Sequence, residues 1–250
     1  MPKITPIAAF NDNYIWLIEA NGRAVCVDPG DAEPVSAYLH QHNLQLAQIW
    51  ITHHHHDHTG GLAALKAAYP DCIVYGNSDI AGATVAAGEG VQIEFAGMHA
   101  GVWHTPGHTD QHISYLLHTS SGLHVFCGDT LFSAGCGRVF TGTVEQLFAS
   151  LQRYNSLPQD TLFYPAHEYT AANLRFAAHI EPDNTDIQTA LAQAAHTPTL
   201  PVTLAHERRI NPFLRTAEAA VYRRVGGLTG RQPADETAVF ADLRMLKNHF

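Results

Sequence analysis

Short β-rich runs alternate with helical patterns through the first two thirds of the chain. NYIWLIEA and RAVCVDPG flank Asn21-Gly22, a pair suited to the positive φ of a type I′ turn, so a hairpin is expected there. DAEPVSAYLHQHN reads as a helix with an acidic first turn, and LAQIWIT as the strand after it. GGLAALKAAYP is a helix stopped by Pro70, and CIVYG is a short strand. Further strands are expected at VQIEFAG, MHAGVWHTPG, HISYLLHT and GLHVFCGDT. TVEQLFASLQRYNSLP opens with a Thr-x-x-Gln capping pattern and keeps helical periodicity as far as Pro158. TLFYPAH is the last strand of this part.

From about residue 168 the period changes. TAANLRFAAHI, DIQTALAQAAHT, LAHERRINPFLR and DETAVFADLRMLKNHF carry helix formers at 3.6-type spacing, with no strand among them. Prolines at 198, 201, 212 and 233 punctuate the segment. The pattern predicts a mixed β-sheet domain over residues 1–167 and a small helical domain over 168–250.

Composition narrows the classes. With 46% hydrophobic and 15% charged residues, the chain can bury a core. A formal charge of −9 disfavours nucleic acid as a partner, because phosphate binding needs a basic surface. No apolar run approaches the roughly 20 residues that span a bilayer, so no membrane partner is expected. The four cysteines form no C-x-x-C pair, and the first residues have no signal-peptide pattern. A cytoplasmic protein with reduced thiols is expected, and a monomer.

Histidine is the anomaly: 18 residues, more than the 14 lysines and arginines together. QIWITHHHHDHTGG holds five of them. In an extended backbone, side chains at i and i+2 share a side, so His53 and His55 converge on one ion while His54 and His56 point away. A turn then brings Asp57 and His58 toward a second ion. His108 follows the Pro106-Gly107 turn, Asp129 follows HVFCG, and His167 follows TLFYPA. Ligands at successive strand ends gather along one sheet edge. Mixed nitrogen and oxygen donors of this kind suit Zn²⁺ or Fe²⁺. His112 is expected to support the site or the core and not to ligate. Most of His40, His42, His54, His56, His118, His124, His179 and His196 are expected on the surface.

THHHHDHTGG, the TPGHT histidine, the GDTLF aspartate and the AHEY histidine together resemble the motif set of the metallo-β-lactamase superfamily. The resemblance implies an αββα sandwich of two mixed β-sheets with two divalent metal ions at one edge. It places His53, His55 and His108 on one ion and Asp57, His58 and His167 on the other, with Asp129 bridging both. Zinc is expected first, and iron or manganese suit the same donors.

NDNYIWLI, GDTLFSAGCGRVFTGT, PAHEYTAANLRFA, INPFLR and a late Arg-x-x-Lys are similar to the glyoxalase II family, over nearly the whole chain. That similarity implies hydrolysis of a glutathione thioester, S-D-lactoylglutathione, to glutathione and D-lactate, the second step of methylglyoxal detoxification. Hydroxide generated between the metals and oriented by Asp57 would attack the thioester carbonyl. Arg138, Tyr169, Arg244 and Lys247 match the family's glutathione-binding positions, and Phe140 stands where some members have tyrosine. Arginine grips carboxylates through paired hydrogen bonds, and Arg244 and Lys247 share a helix face at i, i+3. Alternatives are a glutathione persulfide dioxygenase or another hydrolase on the same fold, and a non-catalytic zinc-binding protein.

Overall fold

The computed structural model describes residues 1–250, which divide into two compact units. The first comprises residues 1–105 with 111–128, and the second residues 106–110 with 129–250.

In the first unit, β1 (Lys3–Ala9) pairs antiparallel with β2 (Asn13–Ala20), which turns into β3 (Arg23–Val27). Asn21 and Gly22 close that hairpin at φ 53° and 71°, the double positive φ that the Asn-Gly pair predicts. The chain crosses through α1 (Ala32–Gln41), capped by the Asp31 side chain, to β4 (Gln45–Trp50), parallel to β3. The one-turn helix α2 (His56–Thr59) and α3 (Leu62–Ala68) lead to β5 (Ile73–Gly76) and the short edge strand β6 (Val85–Ala86), both parallel. The sheet order is β1-β2-β3-β4-β5-β6.

β7 (Gln92–Phe95), β8 (Met98–His104), β9 (Ile113–Thr119) and β10 (Gly122–Gly128) then form an antiparallel meander. Period-2 alternation in β4 explains how the layers join. Ile49 and Ile51 pack under Val35, Leu39 and Leu65 of the helices. Gln48 and Trp50 face the meander: the Trp50 ring stacks on Tyr115 at 5.0 Å, and Gln48 Nε2 donates to the Glu94 carbonyl at 2.8 Å. Tyr115 in turn donates its hydroxyl to the Ile51 and Tyr75 carbonyls at 2.9 and 3.1 Å. These helix, sheet and sheet layers make the expected mixed α/β sandwich.

The second unit holds the ribbon β11 (Leu131–Phe132) with β12 (Gly135–Cys136), then α4 (Val144–Asn155). Thr143 and Gln146 cap α4 reciprocally, as the Thr-x-x-Gln pattern predicts. β13 (Leu162–Pro165), α5 (Thr170–Ile180) and α6 (Thr185–Gln193) follow. β14 (Val202–Thr203) pairs antiparallel with β13 and runs into α7 (Leu204–Ile210). α8 (Ala219–Thr229) and α9 (Glu236–Asn248) complete the unit. Its centre is aromatic, with Phe213 packed on Phe176 at 6.0 Å and on Phe240 at 5.5 Å. No helix is long and apolar enough to cross a membrane.

The sequence pattern gives no warning of several elements. β1 contains Pro6, which interrupts a strand reading but is tolerated on the edge strand that β1 is. β14 is a strand after residue 168, where none is expected, and is too short to show periodicity. α8 contains Gly226 and Gly227, which weaken any helix signal. His124, expected on the surface, is buried, because alternation along β10 puts it on the inward side with Phe126. Thr119 Oγ1 and Ser121 Oγ lie 3.1 and 3.2 Å from its Nε2, and burial lowers its pKa.

Candidate metal centre and substrate site

At the C-terminal ends of β3 and β4, Asp28 organises the histidine loop. Its Oδ1 accepts from Thr52 N at 2.7 Å, and its Oδ2 accepts from Thr52 Oγ1 at 2.7 Å. His58 Nδ1 lies 3.0 Å from the same Oδ2, and His53 Nδ1 lies 3.1 Å from Thr52 Oγ1. A buried carboxylate at the end of this chain keeps both ring protons on Nδ1 and leaves each Nε2 as a lone-pair donor. Asp28 adopts φ 52°, a left-handed conformation that aspartate tolerates better than most residues.

The backbone around the loop is close-packed. A Cβ on Gly30 would collide with the Asp57 carbonyl, and one on Gly61 would lie 2.6 Å from Ala32 N. The Gly-Gly pair after the histidines therefore lets α2 rest directly on the β3–α1 turn. That contact holds Asp57 and His58 on one helical turn, with Asn13 Nδ2 donating to Asp57 Oδ2 at 3.1 Å.

Within the first unit, His53 Nε2 and His55 Nδ1 are 3.0 Å apart, and His58 Nε2 is 3.5 Å from Asp57 Oδ2. Within the second, Asp129 Oδ2 is 3.5 Å from His108 Nε2, and its Oδ1 is 3.4 Å from His167 Nε2. Two ligand atoms at about 2.0–2.2 Å from one tetrahedral ion lie about 3.3–3.6 Å apart. The three nitrogen–oxygen separations match that edge, and the His53–His55 pair is slightly tighter. Asp129 turns one oxygen to each of two histidines, the arrangement of a carboxylate shared between two ions. His108 Nδ1 donates to the Arg138 carbonyl at 2.8 Å, which again frees Nε2. The donor chemistry thus fits divalent metal.

His112 is fully buried, stacks on the His53 ring at 5.0 Å and lies 3.0 Å from Thr105 Oγ1 through Nδ1, which suits a supporting role. His54 and His56 are exposed, and His54 Nδ1 pairs with Asp79 at 2.7 Å.

The loop after Asp129 is braced from below by Glu207. This fully buried carboxyl accepts from Ser133 Oγ and Ala134 N at 2.8 Å and from Asn211 Nδ2 at 3.0 Å. Burial outweighs these donors and pushes its pKa from 4.5 up to about 7. The folded chain therefore takes up a proton here at a pH where the unfolded chain does not. The stabilisation is complete below pH 4.5 and is lost as pH rises through about 7. Across that window, stability is expected to gain up to ~1.4 kcal/mol per pH unit on acidification from this group. Urea midpoints across a pH series should record that slope, and Glu207→Gln should flatten it; parallel profiles would disprove the assignment.

The residues expected to meet substrate lie in the second unit. Tyr169 stacks parallel on His167 at 4.7 Å and 7°. Phe140 is exposed, with its ring 5.2 Å from that of His108. Arg138 is exposed. Arg244 is buried, with Nη1 donating to the Cys136 and Gly137 carbonyls at 3.0 and 3.3 Å and its guanidinium 5.2 Å from the Phe213 ring. Lys247 is half-buried, and burial, then the charges of Arg244, Arg175 and Arg138, lowers its pKa. Arg175, on α5 beside PAHEYTAANL, adds a positive charge that acts on Lys247. Sequence reasoning missed Asp28, although Asp28 ends a buried strand as Asp129 does.

The layered sheets and the strand-end histidines and aspartates define a metallo-β-lactamase superfamily member, and residues 9–167 match that superfamily's model. Residues 168–250 match the model described as hydroxyacylglutathione hydrolase C-terminus. The chain is 62% identical over 248 residues to the hydroxyacylglutathione hydrolase of Neisseria gonorrhoeae, covering 99% of each. It is 47% identical over 258 residues to that of Vibrio cholerae, covering 100% of each. The chain belongs to the hydroxyacylglutathione hydrolase family. Among solved structures, ETHE1 from Myxococcus xanthus superposes with TM-score 0.66 at 28% identity, covering 99% of both chains. The BLEG-1 B3 metallo-β-lactamase, at TM-score 0.65 and 22% identity over 86% of this chain and 99% of its own, shares the fold.

Proposed function

We propose that this protein hydrolyses the thioester of S-(2-hydroxyacyl)glutathione, S-D-lactoylglutathione above all, as the second step of methylglyoxal detoxification. The 62% identity to a hydroxyacylglutathione hydrolase, spread over the full length of both chains, carries the proposal. Residues 1–167 act as the catalytic domain and 168–250 as the glutathione-binding one. His53, His55 and His108 hold one divalent ion, Asp57, His58 and His167 the second, and Asp129 bridges them. Zinc is the first candidate, with iron or manganese accepted by the same donors. Bound there, the ions supply activated water at neutral pH and polarise the thioester carbonyl.

The chain's own groups do the rest. Asp57, with Oδ2 fixed by Asn13, orients the attacking water. Asp28 keeps the His58 proton on Nδ1. The departing glutathione thiolate has a conjugate-acid pKa near that of cysteine, about 8.5, so no dedicated general acid is needed. Arg138, Tyr169, Arg175, Arg244 and Lys247 form the glutathione site, and the cations suit its two carboxylates. Phe140 offers a ring edge where a tyrosine hydroxyl would add a hydrogen bond worth about 0.5–1.5 kcal/mol. Four buried free cysteines suit the reducing cytoplasm, where the protein acts as a monomer without nucleic-acid or membrane partners.

Hydrolysis of S-D-lactoylglutathione, followed before and after chelation with metal analysis alongside, tests the proposal. The expected result is turnover with about two metal equivalents per chain, lost on chelation and restored by metal. Oxygen uptake with glutathione persulfide in place of hydrolysis would support a dioxygenase instead. Metal binding without turnover would support a non-catalytic role.

A further inference from the structure

Near the end of α9 a cation stands against two rings. Lys247 Nζ is 5.5 Å from the Phe176 centroid and 5.7 Å from that of Phe250. The rings meet edge to face at 5.4 Å and 72°, and His179 backs Phe250 at 5.5 Å. Phe176 is fully buried and belongs to the aromatic core with Phe213. Phe250 is 59% exposed, so burial in the core does not account for its position. Its contacts run to Phe176, His179 and the ammonium.

That ammonium needs restraint. Lysine carries a long flexible stem, and Arg244, Arg175 and Arg138 all repel it. Without a hold on its tip, the side chain would swing toward solvent, and a bound anion would have to order it again at an entropic cost. An aromatic face attracts an ammonium through the ring quadrupole and supplies that hold without neutralising the charge.

We propose that Phe250 is a positioning residue: with Phe176 it pins the Lys247 ammonium, already within the field of Arg244 and Arg175, so that an anionic end of the glutathione thioester meets a preformed positive charge. This rests on the glutathione-site reading above. Such contacts are alike in the bound substrate and the transition state, so they act on KM rather than kcat.

The test compares Phe250→Ala, Phe250→Tyr and Lys247→Ala in the metal-loaded enzyme. Each is assayed with S-D-lactoylglutathione and with a lactoyl thioester of N-acetylcysteamine, which lacks the carboxylates. Phe250→Ala is expected to raise KM for the glutathione substrate about three- to tenfold, with kcat and turnover of the small thioester little changed. Phe250→Tyr restores KM, because the ring face is retained. If Lys247→Ala raises KM and Phe250→Ala does not, this inference fails while the glutathione-site reading stands. If Lys247→Ala leaves KM unchanged, both fail. Equal losses on the two thioesters would make Phe250 a general structural residue and overturn its positioning role.

Discussion

Asp129→Ala is expected to remove thioester hydrolysis and bound metal together. The two Asp129 oxygens face different histidines, His108 at 3.5 Å and His167 at 3.4 Å, so one truncation takes a donor from each neighbour's ion. Polarisation of a carbonyl by a metal accounts for several kcal/mol of transition-state stabilisation, and each ~1.4 kcal/mol is tenfold in rate. A fall of at least about 10³-fold in kcat/KM is therefore expected, with sub-stoichiometric metal by elemental analysis. Far-ultraviolet circular dichroism should be unchanged, since Glu207 still braces the loop through Ser133 and Ala134. An Asp129→Ala protein with full metal and full turnover would refute the bridging role.

The second large effect is expected at Asp28. Truncation to alanine strands three buried donors, Thr52 N, Thr52 Oγ1 and His58 Nδ1. An unsatisfied buried donor costs about 1–3 kcal/mol, so stranding three is expected to cost at least about 3 kcal/mol in the metal-free protein. Metal affinity should fall about 10–100-fold as well, because the ring protons of His58 and His53 lose their anchor. Asp28→Asn separates the two effects. Asparagine accepts φ 52° and keeps one acceptor oxygen, so stability should largely survive while zinc affinity still drops. Urea denaturation and competitive zinc titration measure the two quantities. Unaltered zinc affinity in both variants would exclude Asp28 from the metal site.

The elements most legible in the sequence are those whose signal is local. Asn21-Gly22 turns where its backbone preference says it should, and Thr143 with Gln146 starts α4 through contacts three residues apart. The strands ending at Gly128 and Pro165, just before Asp129 and His167, stand out because each is a short apolar run closed by a turn residue. What escaped notice depends on partners distant in sequence. Asp28 looks like half of a turn until Thr52 and His58 are folded onto it. Arg244 reads as a free fork for a carboxylate, yet its Nη1 serves carbonyls in the Gly135–Gly137 stretch. His124 reads as a surface residue from its type, although period-2 alternation beside Phe126 places it inward.

The Arg244 brace has a consequence for biosynthesis. Cys136 receives it from a residue 108 positions later in the chain. At about 5–20 residues per second, the ribosome needs roughly 5–20 s to make that partner. Once it clears the exit tunnel, the nascent Asp129 loop waits without its α9 support. A ribosome-stalled fragment ending before α9 would therefore carry the Asp129 loop without the Arg244 brace.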